Sequence, residues 1–268
     1  MEIKELSIII VNYNGKHYLK ECLNSIANHC SSISHEIIVV DNSSSDGSQK
    51  YLKENYPDVR LFEEKENLGF GKANNLGVKN STGDYILLLN NDTILLQDIM
   101  PVIETAKRSE VGAVGVKMLN GEKQYTASIG KFPKSYNLFK LANLNESRSD
   151  FLTGNFKKKE YNVDWISGSF IIIKRQDWEL IDGFDEDFFM YVEDVDFCKR
   201  LQKHGKQIIF YSKYEYIHFV GFNSSRELKL INGYKIYANK HFNFVSAILA
   251  KILLTINYAY KKTFKNIR

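Results

Sequence analysis

In this 268-residue chain the side chains best suited to chemistry gather in one acidic stretch. Between Gly183 and Cys198, six carboxylates (Asp185, Glu186, Asp187, Glu193, Asp194 and Asp196) alternate with aromatic and apolar residues. Carboxylates beside apolar rings can have their proton affinity raised, as a general base requires. Glu193, Asp194 and Asp196 would equally favour a helix amino terminus through its dipole. Asp196, two residues beyond Asp194, should point elsewhere once a helix has begun, since one helical face repeats every three or four residues.

A second set of polar residues suits phosphate. Asp92 follows the apolar run at residues 84–89, where a strand would deliver a carboxylate. A hard cation such as Mg²⁺ takes one or two carboxylates and shares the rest of its shell with phosphate oxygens and water. Asn90 and Asp92 lie two apart and could both face one crevice, although Asn-Asn-Asp-Thr is also an ordinary turn or cap string. Glycine-based phosphate loops are excluded. Asn12-Tyr13-Asn14-Gly15 lacks spaced glycines, Gly69-Phe70-Gly71 has Asn74 where a third glycine belongs, and no Walker lysine loop exists.

These residues need a scaffold, and its pattern is regular. Short β-type runs at residues 6–11, 36–40, 59–62 and 85–89 alternate with helical stretches at 16–28, 48–55 and 72–79. That alternation predicts an α/β fold with a mostly parallel, Rossmann-like central sheet covered by helices on both faces. Ligands then bind beyond the carboxyl ends of the strands. Those ends carry Asn12 to Gly15, Asp41 to Ser44 and Asn90 to Asp92, each alone a possible cap. Residues 120–161 read as irregular structure, with Lys157-Lys158-Lys159 as a solvated face. Order should return at Trp165, 170–173, 177–181 and a helix over 194–204.

Composition narrows the class. A net charge of +4 without a dense basic stripe argues against nucleic acid as a partner. Cys22, Cys30 and Cys198 form no paired motif, which suits a reducing cytoplasm. The amino terminus lacks a basic segment leading into a long apolar run, so no leader peptide is expected. Residues 242–260 are apolar but broken by Lys251 and Asn257, and lead into Lys261, Lys262 and Lys265. They are too broken for a confident membrane span. Two readings stay open there: an interfacial amphipathic helix, giving peripheral membrane contact through 242–265, or a helix packed on its own core.

Taken together, five strings in order resemble the family 2 inverting glycosyltransferases of the glycosyltransferase-A fold, nearest to their rhamnosyltransferase-like branch. They are Ser7 to Asn14, Val39 to Gly47, Asn67 to Asn75, Leu88 to Asp92, and Gly183-Phe184-Asp185-Glu186 leading to Glu193-Asp194-Val195-Asp196. The resemblance covers roughly Leu6 to Ser224. It implies a catalytic domain over 1–240, with a nucleotide-binding half to about 118 and an acceptor half from 119, and a helical tail over 241–268.

The resemblance also implies roles. Asn12, Tyr13, Asp41, Asn67, Lys72, Asn74, Asn90 and Gly168 would bind the donor, with Tyr13 packed on the base and Asp41 accepting its ring N–H. Asp92 would bind Mg²⁺ or Mn²⁺, and His218 would approach it, although a histidine among aromatics is equally a packed one. Asp194 would be the general base and Glu193 would orient the site. The implied donor is a UDP- or dTDP-sugar, rhamnose first among the sugars, and the acceptor a glycan or lipid-linked saccharide in bacterial surface polysaccharide synthesis, at the cytoplasmic face. The family's metal motif often opens with aspartate where this chain has Asn90, a substitution usual in the rhamnosyltransferase-like branch. Two rivals remain: an inactive sugar-nucleotide-binding protein of the same fold, and a sugar nucleotidyltransferase.

Overall fold

The computed structural model describes residues 4–219 and 226–265. Val220, Gly221 and Ser224, along with residues 1–3 and 266–268, lie outside them. The expected alternation is present: β1 (Leu6–Asn12), α1 (Lys16–His29), β2 (His35–Asp41), α2 (Ser48–Asn55), β3 (Arg60–Glu63), α3 (Phe70–Lys79) and β4 (Tyr85–Asn90). These strands are apolar along their length because successive side chains feed two different cores. Ile8, Ile10, Leu87 and Leu89 pack on one face, while Ile9, Ile86 and Leu88 pack on the other. Such continuous runs are what a doubly covered sheet requires.

The second half begins with β5 (Thr93–Leu95), α4 (Met100–Ala106) and β6 (Val111–Leu119). The segment read as irregular contains β7 (Tyr125–Thr126), β8 (Ile129–Gly130), two 3₁₀ turns (Ser135–Phe139 and Leu141–Leu144), α5 (Ser149–Thr153) and β9 (Glu160–Val163). Then follow β10 (Trp165–Ile166), β11 (Phe170–Lys174), α6 (Arg175–Leu180), α7 (Glu193–Lys203), β12 (Gln207–His218), α8 (Arg226–His241) and α9 (Phe244–Lys265).

The main sheet runs β3-β2-β1-β4-β11-β6-β12-β5, with β7 on β6 and β9 on β12. Its first four strands are parallel. β11 returns antiparallel beside β4 and β6, whereas β12 runs parallel to β6. β12 carries a bulge: Tyr211 pairs with Val116 but Glu215 pairs with Lys117, leaving residues 212–214 as extra chain.

A third core lies under the carboxyl-terminal helices. Ala250 and Leu254 of α9 and Tyr234, Tyr237 and Ala238 of α8 pack with Val192 and Val195, which flank the acidic pair. Among the described residues no helix is long and apolar enough to cross a membrane. The three cysteines are buried and free.

Candidate active site

Strand register explains why residues distant in sequence meet at one edge. Asn12 pairs with Asp41 and Val11 with Asn90, so β1, β2 and β4 end level with one another. On β12, His218 pairs with Thr93, and the Phe219 N–H donates to the Asp92 carbonyl at 2.9 Å. β11 enters beside β4, with the Asn90 N–H donating to the Ser169 carbonyl at 3.1 Å. Gly168 therefore sits next to the strand end that carries Asp92.

At the nucleotide end, Asn12 and Asp41 are completely buried. The Asp41 carboxylate accepts from Asn12 Nδ2 (2.7 Å), the Ser44 N–H (2.9 Å) and Gln49 Nε2 (2.7 Å). A carboxylate offers about four lone-pair positions, so these three donors leave one unfilled. Tyr13 is 52% exposed beside this cluster, and Lys72 is exposed on α3. The other two candidates serve local backbone. Asn67 Oδ1 accepts the Gly69 N–H at 2.9 Å, and buried Asn74 donates to the Phe70 carbonyl one helical turn back at 2.9 Å.

Asn90, Asp92, Gly168, Glu193, Asp194 and His218 line one cavity of about 370 Å³. A larger open groove, about 770 Å³ and lined by Arg175, Trp178 and Arg200, takes in Asp185 and Glu186 of the acidic stretch but neither Glu193, Asp194, Asp92 nor His218. Asp194 Oδ2 accepts the Gly168 N–H at 3.0 Å, and its Oδ1 accepts the Val195 N–H at 2.9 Å. Burial raises the Asp194 proton affinity against these two donors. Burial, and then the charge of Asp194, push Glu193 well above the ordinary carboxylate range. Glu193 is buried and its Oε2 has no hydrogen-bond partner. Asp196 faces away, as helical spacing requires. It accepts from Arg200 Nε and from His241 Nε2, each at 2.7 Å.

The pair is presented by a strained turn. Tyr191 (φ 71°) and Val192 (φ 75°) both adopt left-handed backbone, where a β-branched residue is an outlier. Each such residue costs on the order of 1–3 kcal/mol unless its surroundings enforce it. Here α8 does so at Gly233, where a Cβ would stand 2.6 Å from the Tyr191 carbonyl oxygen.

The same cavity holds a pair that fits a divalent cation. His218 Nε2 lies 3.1 Å from Asp92 Oδ1 and 3.2 Å from Asn90 Nδ2. His218 Nδ1 faces Met118 Sδ at 3.3 Å, so in an Nδ1–H tautomer the Nε2 lone pair faces both the Asn90 amide Nδ2 and Asp92 Oδ1. Two electron-rich atoms so close need a proton or a cation between them. Their 3.1 Å separation is also the edge of an octahedron with bonds of roughly 2.1 Å. Among the described residues no group of three or more His, Cys, Asp and Glu could hold a metal alone. Substrate and water must complete such a shell.

Several lining residues carried no local signal: Phe70, Met118, Trp165, Met190, Tyr191 and Tyr234. Asn91 was also missed as a link. Its Nδ2 donates to Asn12 Oδ1 at 2.7 Å, tying the metal-side loop to the nucleotide end.

Residues 151–223 match a model described as the N-terminal domain of galactosyltransferase. Rhamnosyltransferase WbbL of Escherichia coli (strain K12) is 28% identical over 234 residues, 79% of this chain and 82% of its own length. The N-acetylglucosaminyl-diphospho-decaprenol L-rhamnosyltransferase of Mycobacterium tuberculosis is 26% identical over 245 residues, 83% of this chain and 78% of its own. The solved mannosyltransferase of Pyrobaculum calidifontis, in complex with GDP-Man and Mn²⁺, has the same fold, the glycosyltransferase-A fold. Its TM-score is 0.62 at 18% identity, covering 98% of this chain and 76% of that one. The model for Glycosyl transferase family 2 matches residues 7–180, more than half of the chain, and the chain belongs to that family.

Proposed function

We infer that the enzyme is an inverting, metal-dependent hexosyltransferase that moves a sugar, rhamnose first among candidates, from a UDP- or dTDP-linked donor. The acceptor is a hydroxyl of a glycan or lipid-linked saccharide in surface polysaccharide synthesis. The observation that carries this reading is one cavity lined both by Asp194 and by Asp92 beside His218. The two rhamnosyltransferase relatives support the sugar, and the diphospho-decaprenol named for one of them supports a lipid-linked acceptor.

In this reading Asp194 takes the proton from the acceptor hydroxyl as that oxygen attacks the anomeric carbon. The bond from that carbon to the diphosphate oxygen breaks, and the electron pair leaves with the diphosphate. One attack from the opposite face inverts the centre. The raised proton affinity of Asp194 supports its role as base, and the Gly168 N–H fixes the carboxylate. Glu193, whose proton affinity is raised by burial and then by the charge of Asp194, would orient the site. Asp92 and His218 would hold the divalent cation, with Asn90 beside them. When bound, it would offset negative charge on the leaving diphosphate.

Tyr13 would pack on the base, and Asp41, with one lone-pair position left, would accept its ring N–H. Asn12 and Asn67 would set the shape of the pocket, Lys72 would meet the phosphates, and Asn74 would brace α3. Residues 1–240 would form the catalytic unit and 241–268 its helical tail. The three free cysteines support a reducing cytoplasm as its compartment.

A panel of sugar nucleotides with a polyprenyl-diphosphate saccharide tests the reading. Release of free nucleoside diphosphate with a lengthened acceptor is expected. Pyrophosphate release would indicate nucleotidyl transfer, and binding without turnover an inactive binding protein.

A further inference from the structure

The third core leaves one face of α9 unused. Ala247, Ala250, Leu254 and Asn257 turn inward, and Asn257 Nδ2 donates to the Phe139 carbonyl of the first 3₁₀ turn. On the other side Phe244, Val245, Ile248, Leu249, Ile252 and Ile256 are exposed, Phe244 by 80% and Val245 by 75%. Their spacing follows one helical face. Tyr136 and Phe139 of the adjoining 3₁₀ turn are exposed as well. A run of bare apolar side chains on one helix exceeds what scattered surface residues explain.

Along α9 and the adjoining 3₁₀ segment the sequence carries charge of a single sign. The α9 sequence contains Lys251, Lys261, Lys262 and Lys265 and no aspartate or glutamate. Lys134 and Lys140 flank the 3₁₀ turn and are exposed, and residues 128–145 contain no carboxylate. Two copies meeting through these segments would oppose lysine to lysine, since neither segment carries an acid. An anionic lipid surface supplies both an apolar interior and the opposite charge.

We propose that the outer face of α9, with the 3₁₀ turn at Ser135–Phe139, docks on an anionic bilayer. The helix lies in the headgroup boundary, since no described helix is long and apolar enough to cross. Because α9 shares a core with Val192 and Val195, docking holds the acidic turn in a set orientation to the lipid surface. The proposal rests on the faces of α9 and not on the transfer reading, and its test uses no sugar donor.

The test is flotation of the full chain with vesicles of phosphatidylcholine alone, or with about one third phosphatidylglycerol, at two salt concentrations. Binding is expected on the anionic vesicles and should weaken with salt. Ile248→Glu with Ile252→Glu should lower the bound fraction at least tenfold without changing the melting temperature. Lys134→Glu with Lys140→Glu, both exposed, should lower binding to anionic vesicles several-fold and serves if the first variant misfolds. Equal flotation of wild type and both variants would overturn the proposal. So would no flotation, or a concentration-dependent dimer in light scattering that the isoleucine variant dissolves.

Discussion

Replacing Asp194 by asparagine is the sharpest test of the acid pair. Its carboxylate accepts two backbone N–H groups, from Gly168 at 3.0 Å and Val195 at 2.9 Å, one on each oxygen. Asparagine offers one carbonyl oxygen, so one of these N–H groups must face an NH₂ donor. Stranding that donor costs roughly 1–3 kcal/mol, chiefly in the stability and placement of the turn. Loss of the proton acceptor itself should slow turnover by about 10²–10⁴-fold. At ~1.4 kcal/mol per decade this corresponds to roughly 3–5 kcal/mol of barrier. The substitution is therefore not silent structurally, but the chemical loss exceeds the structural one. The assay is nucleoside diphosphate release under saturating donor, with calorimetric nucleotide affinity and the melting curve measured on the same preparation. Affinity should survive while turnover falls. Glu193→Gln is the matched control: it keeps the size of the side chain and removes only its ionisation, so less than a tenfold loss is expected. Near-normal turnover in Asp194→Asn, together with its abolition in Glu193→Gln, would refute Asp194 as the base.

Three further outcomes are expected. Asp41→Ala should weaken uridine or thymidine diphosphate binding by roughly 1–3 kcal/mol, and unchanged affinity by calorimetry in a folded variant would remove Asp41 from the pocket. Excess chelator should abolish transfer and lower diphosphate affinity, with Mg²⁺ or Mn²⁺ restoring both; full activity in chelator would exclude Asp92 and His218 from metal binding. Glu193 has a raised folded-state pKa, so the native state keeps a proton that the unfolded chain releases above its ordinary value of about 4.3. Wild type should therefore lose stability relative to Glu193→Gln as pH rises from there toward the raised value, and a pH-independent difference in denaturant midpoints would contradict this.

The alternating half of the fold was legible because its strands and helices are locally consistent, from Ile8 to Leu89. Asp92 and the Glu193-Asp194 pair were legible for a related reason: charged residues directly after an apolar strand or an aromatic loop are conspicuous in one dimension. The role of Asn74 was less readable, since a side chain bonded to its own helix looks the same in sequence as one aimed at a ligand. The walls formed by Met118, Trp165 and Tyr234 depend on packing between remote segments, which no local pattern encodes. The turn at Tyr191 and Val192 runs against local preference altogether, because a β-branched residue in left-handed backbone is enforced only by α8 and the core beneath it.

The bulge in β12 has a consequence for how this gene can change in length. From Glu215 onward side chains alternate between the sheet's two faces, and His218 pairs beside Asp92 only in the present phase. The extra residues 212–214 are anchored by the Ser212 hydroxyl, which donates to the Lys158 carbonyl at 2.6 Å. Losing or gaining one codon between Glu215 and His218 would turn the imidazole to the opposite face while leaving composition almost untouched. A change of two codons would restore its side but shift it along the strand by about 7 Å, beyond reach of Asp92. A change of length should thus be absorbed best at residues 212–214, where the chain already departs from the ladder with β6, and rejected from Glu215 onward.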